Sequence, residues 1–385
     1  MAIILDGTTG ITTPAETVSG AITASTVTAT GLISGSTNYT GFKNRIINGG
    51  MVIDQRNAGA SVTVSSYGYV LDRFGFNCSG GGAFTVQRST TAPTGFVNSQ
   101  ALTVSTPDSS IAAGDVYQSF HKIEGYNVAD LNFGTVNAQT FTLSFWVRSS
   151  ITGTYAVGLC NNAFNRSYVS TYTVNVANTW EQKTITVVGD TSGTWVTDNN
   201  IGLNISFDIG SGTNYNTTAG AWGAGNFSRT SGSVNWIATS GATFYITGVQ
   251  LEKGSVATSF DYRPYGTELQ LCQRYYEKSY DIGTAVAQNS GTYNGTSVAA
   301  SPGPLSGMSF SETRYKVTKR NAATLTFYNP AAANAFARDQ NAGVDCTATS
   351  AWMAGESSFA IIASTGVGSG VTNRVAVHWS ANSEL

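Results

Sequence analysis

In the stretch Ile201-Gly202-Leu203-Asn204-Ile205-Ser206-Phe207-Asp208-Ile209, apolar and polar side chains alternate without a slip. A period of two admits one regular backbone, an extended strand whose successive side chains leave opposite faces, so the segment buries one of its faces. Phe141, Leu143, Phe145 and Val147 alternate with Thr142, Ser144, Trp146 and Arg148 in the same way, and Phe84/Val86, Leu102/Val104 and Ile185/Val187 mark shorter examples. Further on, Phe244 and Ile246 share a parity that Val249 and Leu251 do not, which predicts a β-bulge at Thr247-Gly248. Turns of Gly, Asn and Ser separate these strands. The pattern predicts a two-sheet antiparallel sandwich of jelly-roll type over residues 44–264.

The pattern changes on both sides of that block. From Ala2 to Phe42 the only charged residues are Asp6 and Glu16, in a background of Thr, Ser, Gly and Ala. Alone, this arm of residues 1–43 lacks the apolar content for a core. It is either a low-complexity tether or a fibrous stem wound with other chains. After Pro264, Thr267-Glu268-Leu269-Gln270 fits a capping box, and Leu269, Cys272 and Tyr276 fall at i, i+3 and i+7 on one helical face. These residues predict a short helix over 265–281 that packs on the sandwich or pairs with symmetry mates as a neck. Strand signals resume at Leu325/Phe327, Phe359/Ile361 and Val375/Val377, so residues 282–385 are expected to form a second β-domain, a C-terminal β-sandwich tip.

Composition narrows the function classes. Only 11% of the 385 residues are Asp, Glu, Lys or Arg, and the formal net charge is −2. A phosphate-tracking surface needs clustered Lys and Arg, so nucleic acid is not an expected partner. No apolar run reaches the ~18–20 residues of a membrane span, and Met1-Ala2-Ile3-Ile4-Leu5-Asp6 lacks the basic start of a secretory signal. Neither membrane insertion nor export is expected, and synthesis is expected in a cytosol. Cys78, Cys160, Cys272 and Cys346 form no Cys-x-x-Cys pair and are expected to be buried thiols.

A search for chemistry returns little. Serine-nucleophile catalysis needs a His between Ser and acid, yet the chain holds only His121 and His378, with no Gly-x-Ser-x-Gly elbow at either. Gly80-Gly81-Gly82 lacks the Lys-Ser/Thr of a phosphate cradle. No ligand set marks a zinc site and no run of alternating Asp marks a calcium site, so no metal or cofactor is expected. Glycan hydrolysis needs just two carboxyl groups at a suitable separation, and Asp190, Asp198 and Asp208 lie near Trp195 and Phe207. Aspartates in Gly- and Asn-rich turns more often bond their own backbone, and no catalytic residue is assigned.

Carbohydrate contact is better supplied. Flat rings cover the apolar face of a sugar while Asn, Ser, Thr and Gln bond its hydroxyls. The densest such cluster is Tyr215, Asn216, Trp222, Asn226, Phe227, Arg229 and Trp236; at the tip, Tyr328, Asn329, Phe336, Arg338 and Trp352 lie near turns. Trp and Tyr also fill sandwich cores, so each of these competes with a structural reading.

Four further runs carry a resemblance: Asn44-Arg45-Ile46-Ile47-Asn48-Gly49-Gly50-Met51-Val52-Ile53-Asp54-Gln55-Arg56-Asn57, Gly248-Val249-Gln250-Leu251-Glu252-Lys253-Gly254, Glu268-Leu269-Gln270-Leu271-Cys272-Gln273-Arg274-Tyr275-Tyr276, and the ending from Arg374 to Leu385. Together they resemble tailed-bacteriophage tail-fibre proteins that carry a jelly-roll domain similar to carbohydrate-binding modules. The resemblance implies a virion protein made in the host bacterial cytoplasm. Its arm would dock to tail or baseplate proteins, and its body would be a homotrimer that attaches to host-surface polysaccharide through shallow sites with added avidity. A head-fibre or decoration subunit with a purely structural role, and a capsule depolymerase, are the alternatives.

Overall fold

The computed structural model describes residues 42–301, 308–364 and 373–385; the expected arm therefore lies outside the described residues except for its last two. Thirteen strands build the first part of the described chain. They are β1 (Val62–Val64), β2 (Gly68–Leu71), β3 (Phe74–Cys78), β4 (Ala83–Ser89), β5 (Ser99–Thr106), β6 (Tyr117–Glu124) and β7 (Phe141–Ser149). There follow β8 (Gly153–Cys160), β9 (Arg166–Val174), β10 (Glu181–Val187), β11 (Ile201–Asp208), β12 (Trp222–Ala224) and β13 (Thr243–Lys253). They pair antiparallel in two sheets, β1-β4-β5-β13-β7-β10 and β12-β9-β8-β11-β6-β3-β2. This is the expected jelly-roll sandwich.

Alternation places Phe141, Leu143, Phe145 and Val147 of one sheet against Leu203, Ile205, Phe207 and Ile209 of the other, all fully buried in a single core. Edge-to-face rings such as Phe145 on Phe207 at 5.1 Å add directional contact to that burial. His121 on β6 also points into this core, beside the Phe74 ring at 4.9 Å. Neither of its ring nitrogens has a hydrogen-bond partner. Burial and the Arg73 cation hold its pKa well below the usual imidazole range.

The register of β13 against β7 shifts between Thr247 and Gln250. Gly248 makes the bulge possible, since its φ of 62° lies in the left-handed region and a Cβ there would stand 2.6 Å from the Phe96 ring. The opening run closes onto β13 as well: the Asn44 side chain accepts the Leu251 N–H and donates to the Val249 carbonyl, tying strand ends two hundred residues apart.

The outward face of β11 differs from the simple expectation of one buried side. Asn204, Ser206 and Asp208 are also buried, together with Gln118 and Lys122 of the neighbouring β6. A loop lies over one end of this face, where Gln118 donates to Ser228 at 2.6 Å and Arg229 stands 3.6 Å from Asp208. The last residues of the chain cover the other end.

The helical segment departs from the predicted neck. Helix α1 spans Tyr265–Gln273 and starts after Pro264, with no side-chain cap. Thr267 does not cap it, because the helix begins two residues earlier, where Pro suits a first-turn boundary. Glu268 instead accepts the Asn48 N–H at 2.5 Å and pairs with Arg263. Cys272 is fully buried against Ile47, Ile53 and Tyr275, with Leu269 packed at the margin, all within one chain. Tyr276 has left the helix and sits in β14 (Tyr276–Lys278). The seam read as a trimer contact is therefore filled from within by the opening run.

Strand β14 pairs with the long β22 (Asn373–Asn382), so residues assigned to the neck belong to the C-terminal sheet. Strands β15 (Ser297–Ser301), β17 (Thr324–Tyr328) and β18 (Arg338–Asp339) also pair with β22, and β19 (Val344–Asp345) pairs with β18. A three-stranded sheet, β16 (Met308–Arg314), β21 (Ser358–Ser364) and β20 (Ala348–Trp352), completes this part. Its separate core holds Phe327, Phe359, Ile361, Val375, Val377 and Trp379.

The two cores meet at a junction rich in buried charge. Glu384 accepts from Arg56 at 3.0 Å and from Arg73. The Arg73 guanidinium lies 3.5 Å from the Tyr275 ring centroid, and that of Arg56 lies 3.8 Å from Tyr276. Lys122 and Tyr69 donate to the Leu385 carbonyl at 2.8 and 2.9 Å, while Arg274 forks onto Glu124 at 2.7 and 2.9 Å. Lys319 and Glu277 form a second pair, both fully buried, at 2.5 Å.

Candidate functional site

Strand β12 hydrogen-bonds along β9 with Trp222 opposite Tyr168, which makes β12 the edge of its sheet. At that edge Trp222 meets Tyr168 at 5.3 Å and Trp195 at 5.4 Å, the two indoles being perpendicular. Phe133 backs Trp195 at 4.8 Å and joins the cluster to the core. Trp195, Trp222 and Tyr168 are each half-buried, so one side of the group packs and the other meets solvent.

Local chemistry holds the rings in place. The Trp222 Nε1–H donates to the Val188 carbonyl at 2.7 Å and the Trp195 Nε1–H to the Ser192 carbonyl at 3.1 Å. Arg166 forks onto Asp190 with two bonds of 2.7 Å, pinning the loop that carries Trp195 to β9. This contact raises the Arg166 pKa above its ordinary value. With both indole N–H groups engaged, the two indoles offer faces rather than donors, and Asn165 and Asn226 are exposed nearby.

The predicted site residues divide accordingly. Trp222 and Asn226 lie at this edge. Trp236 does not: it begins a 3-10 turn that enters the core, where it is fully buried between Phe84 at 6.0 Å and Phe244 at 6.4 Å. Arg229 is also corrected to a structural role, because it is buried over Asp208 and donates to the Ser233 carbonyl and Asn235 at 2.8 and 2.7 Å. Tyr215 and Asn216 are half-buried and organise the covering loop; the Tyr215 carbonyl accepts from Ser228 and Arg229, and Asn216 bridges Arg229.

In the C-terminal part, Tyr328 bonds Ser380 at 3.1 Å and abuts Tyr280, which stacks on His378 at 3.7 Å. Trp352 is 46% exposed at the end of an edge strand, well apart in the fold from the β9–β12 cluster. Sequence reasoning did not select Tyr168 or Phe133. The strand alternation of β9 carried the signal for Tyr168, since it shares parity with buried Tyr172.

The three aspartates considered for glycan cleavage each hold a loop. Asp190 is clamped by Arg166, and Asp198 accepts from Asn200 at 2.8 and 3.0 Å. Asp208 is buried beneath Arg229; burial raises its pKa while Arg229 opposes the rise. Among the described residues, no group of three or more His, Cys, Asp or Glu is placed to hold a metal ion, and no helix is long and apolar enough to cross a membrane.

No protein-family model matches this chain, and no curated protein matches it. Among solved structures it is similar to the enzymatically active domain of tailspike protein 4 of bacteriophage CBA120, with 14% identity over 55% of this chain and 21% of that chain and a TM-score of 0.29. It is also similar to a putative sugar binding protein from Bacteroides thetaiotaomicron, with 12% identity, 55% and 100% coverage and a TM-score of 0.30. A family 11 carbohydrate-binding module from Clostridium thermocellum, solved with a mixed-linked tetrasaccharide, aligns at 13% identity over 51% of this chain and 98% of that one, with a TM-score of 0.27. The chain thus spans about a fifth of the length of the tailspike.

Proposed function

We propose that this chain is a phage tail-fibre protein that attaches the virion to host-cell surface polysaccharide. The observation that carries the reading is the half-open cluster of Trp195, Trp222 and Tyr168 at the β9–β12 edge, whose two indole N–H groups are bonded to backbone carbonyls so that the indoles present their faces to a ligand. Shallow stacking surfaces bind weakly one at a time. Three copies on one axis gain avidity, which is why the proposal includes a homotrimer docked to the particle through residues 1–43.

The test uses the full chain: its mass in solution by light scattering, and its binding to intact bacteria before and after enzymatic removal of their surface polysaccharide. The reading expects a trimer whose binding disappears with the polysaccharide and is weakened by Trp222→Ala. Binding that survives stripping sinks it. Release of reducing ends during incubation would instead point to a depolymerase.

A further inference from the structure

The bulge at Gly248 has an effect on the opposite sheet from the β9–β12 cluster. Without a Cβ at that position, the Phe96 ring lies against β13 and forms one wall of a cleft of about 210 Å³. Beside Phe96, its neighbours Gly95 and Val97 line the cleft, with Gly50 and Val52 of the opening run, Phe260 and Tyr262 after β13, and Arg263 and Glu268 around the start of α1. Phe96 stands 5.0 Å from Phe260 and 5.6 Å from Tyr262, and Phe260 stands 4.8 Å from Tyr262, so three rings face one opening at different tilts. Tyr262 is 61% exposed, yet its ring rests against Phe96 and Phe260 and its hydroxyl also donates to the Gly95 carbonyl. That is a preformed aromatic wall.

The charged part of the lining selects among ligands. Arg263 and Glu268 form an ion pair whose side chains are 3% and 10% exposed, so the cleft carries no net charge to attract an anion or a cation. Glu268 Oε1 accepts from Asn48 and from Arg263, whereas Oε2 accepts only a 3.3 Å bond from Arg263. A carboxylate has room for about four donors, so Oε2 retains accepting capacity toward a hydroxyl. A purely apolar occupant would cover that capacity without satisfying it. The volume lies below the ~300–1,000 Å³ of sites for drug-sized molecules, which limits the occupant to roughly one ring. A ring with an apolar C–H face and a hydroxyl edge meets all three conditions.

We propose that the Phe96–Phe260–Tyr262 cleft is a second saccharide subsite, taking a single neutral pyranose with its C–H face on the rings and a hydroxyl on Glu268. The proposal rests on the glycan-binding reading but places a distinct site on the other sheet. Saturation-transfer NMR on the full chain tests it, with methyl β-D-glucopyranoside, methyl β-D-galactopyranoside, methyl β-D-glucuronide and cyclohexanemethanol as probes. At least one neutral hexoside is expected to receive transfer at its ring C–H protons in a Trp222→Ala background, which removes the contribution of the β9–β12 cluster; there the transfer falls about fivefold or more on adding Tyr262→Ala and holds within about twofold on adding Tyr262→Phe. The glucuronide and the cyclohexane are expected to respond more weakly. Tyr262 is largely exposed, so its loss leaves the fold intact, which the melting temperature checks. Equal transfer with and without Tyr262→Ala in the Trp222→Ala background overturns the subsite, as does cyclohexanemethanol matching the hexosides. A change of solution mass in Tyr262→Ala also overturns it, since the cleft would then be a chain–chain contact. If Trp222→Ala abolishes cell attachment while Tyr262→Ala changes no transfer, the subsite falls and the attachment reading stands; silence from every saccharide together with undiminished binding to stripped cells removes both.

Discussion

At the β9–β12 edge, the rings of Trp195, Trp222 and Tyr168 stand half open and their N–H groups are bonded to nearby carbonyls. At the junction around Glu384, the rings of Tyr275 and Tyr276 instead lie under the guanidinium groups of Arg73 and Arg56 and are buried. A chain with only 11% charged residues has placed several of them out of water at that second location. Aromatic density therefore says little about function until the neighbouring charges are known. Rings beside neutral carbonyls remain available to a ligand, while rings beneath paired cations are part of the fold's closure. Removing one partner of a buried pair leaves the other charge desolvated, whereas removing an edge ring mainly changes the surface.

The comparison is most exposed to a change at Glu384. Glu384→Ala removes the carboxylate that Arg56 and Arg73 share and is expected to lower unfolding free energy by about 3–5 kcal/mol in denaturant titration. The Glu384→Ala/Arg73→Ala pair should cost less than the sum of the single changes, because the two share one interaction; simple additivity would break the argument. Trp236→Ala is expected to cost a similar ~3–5 kcal/mol through the cavity it opens, with glycan binding per folded molecule unchanged. A specific loss of binding in a stably folded Trp236→Ala protein would return that residue to the ligand.

Trp222→Ala sharpens the contrast from the other side, with binding weakened about five- to thirtyfold against a small stability change. Next comes the pH response. His121 has a folded pKa below its unfolded value, so the native state binds fewer protons; stability is whole above about pH 6.5 and declines as pH falls below it. His121→Phe is expected to flatten that acid limb in thermal melts from pH 7 to pH 5, and an unchanged limb would remove His121 from the account. Smallest is Trp352→Ser, expected to alter stability by no more than ~0.5 kcal/mol, since nearly half of that side chain already meets water.

Much of the sandwich was legible because alternation is local. The strand from Ile201, the strand from Phe141 and the bulge at Thr247-Gly248 follow from parity alone. What covers each face was not legible, because the covering groups are distant in the chain. Asn204, Ser206 and Asp208 read as a solvated row and are buried under Ser228, Arg229 and the residues around Leu385. The helix face of Leu269 and Cys272 was correctly read as apolar, but its cover is Ile47 and Ile53, over two hundred residues earlier, rather than another copy. Trp222 and Trp236 share a Gly-rich stretch. Only the tertiary path, an edge strand for one and an inward turn for the other, separates a surface ring from a core ring.

The clasp at Glu384 also orders events in time. A chain emerging from the ribosome has β1 to β13 available long before residue 384, yet Arg56 and Arg73 lack the carboxylate they share until that residue arrives. Contacts of such sequence separation are the slow ones in folding, and unpaired surface persists while they form. Completion of the first core is thus coupled to the end of the last strand. A nascent chain arrested before residue 384 would hold a nearly complete sandwich whose Arg56 and Arg73 still lack their shared carboxylate, and it should remain open to protease at those two segments until synthesis passes that point.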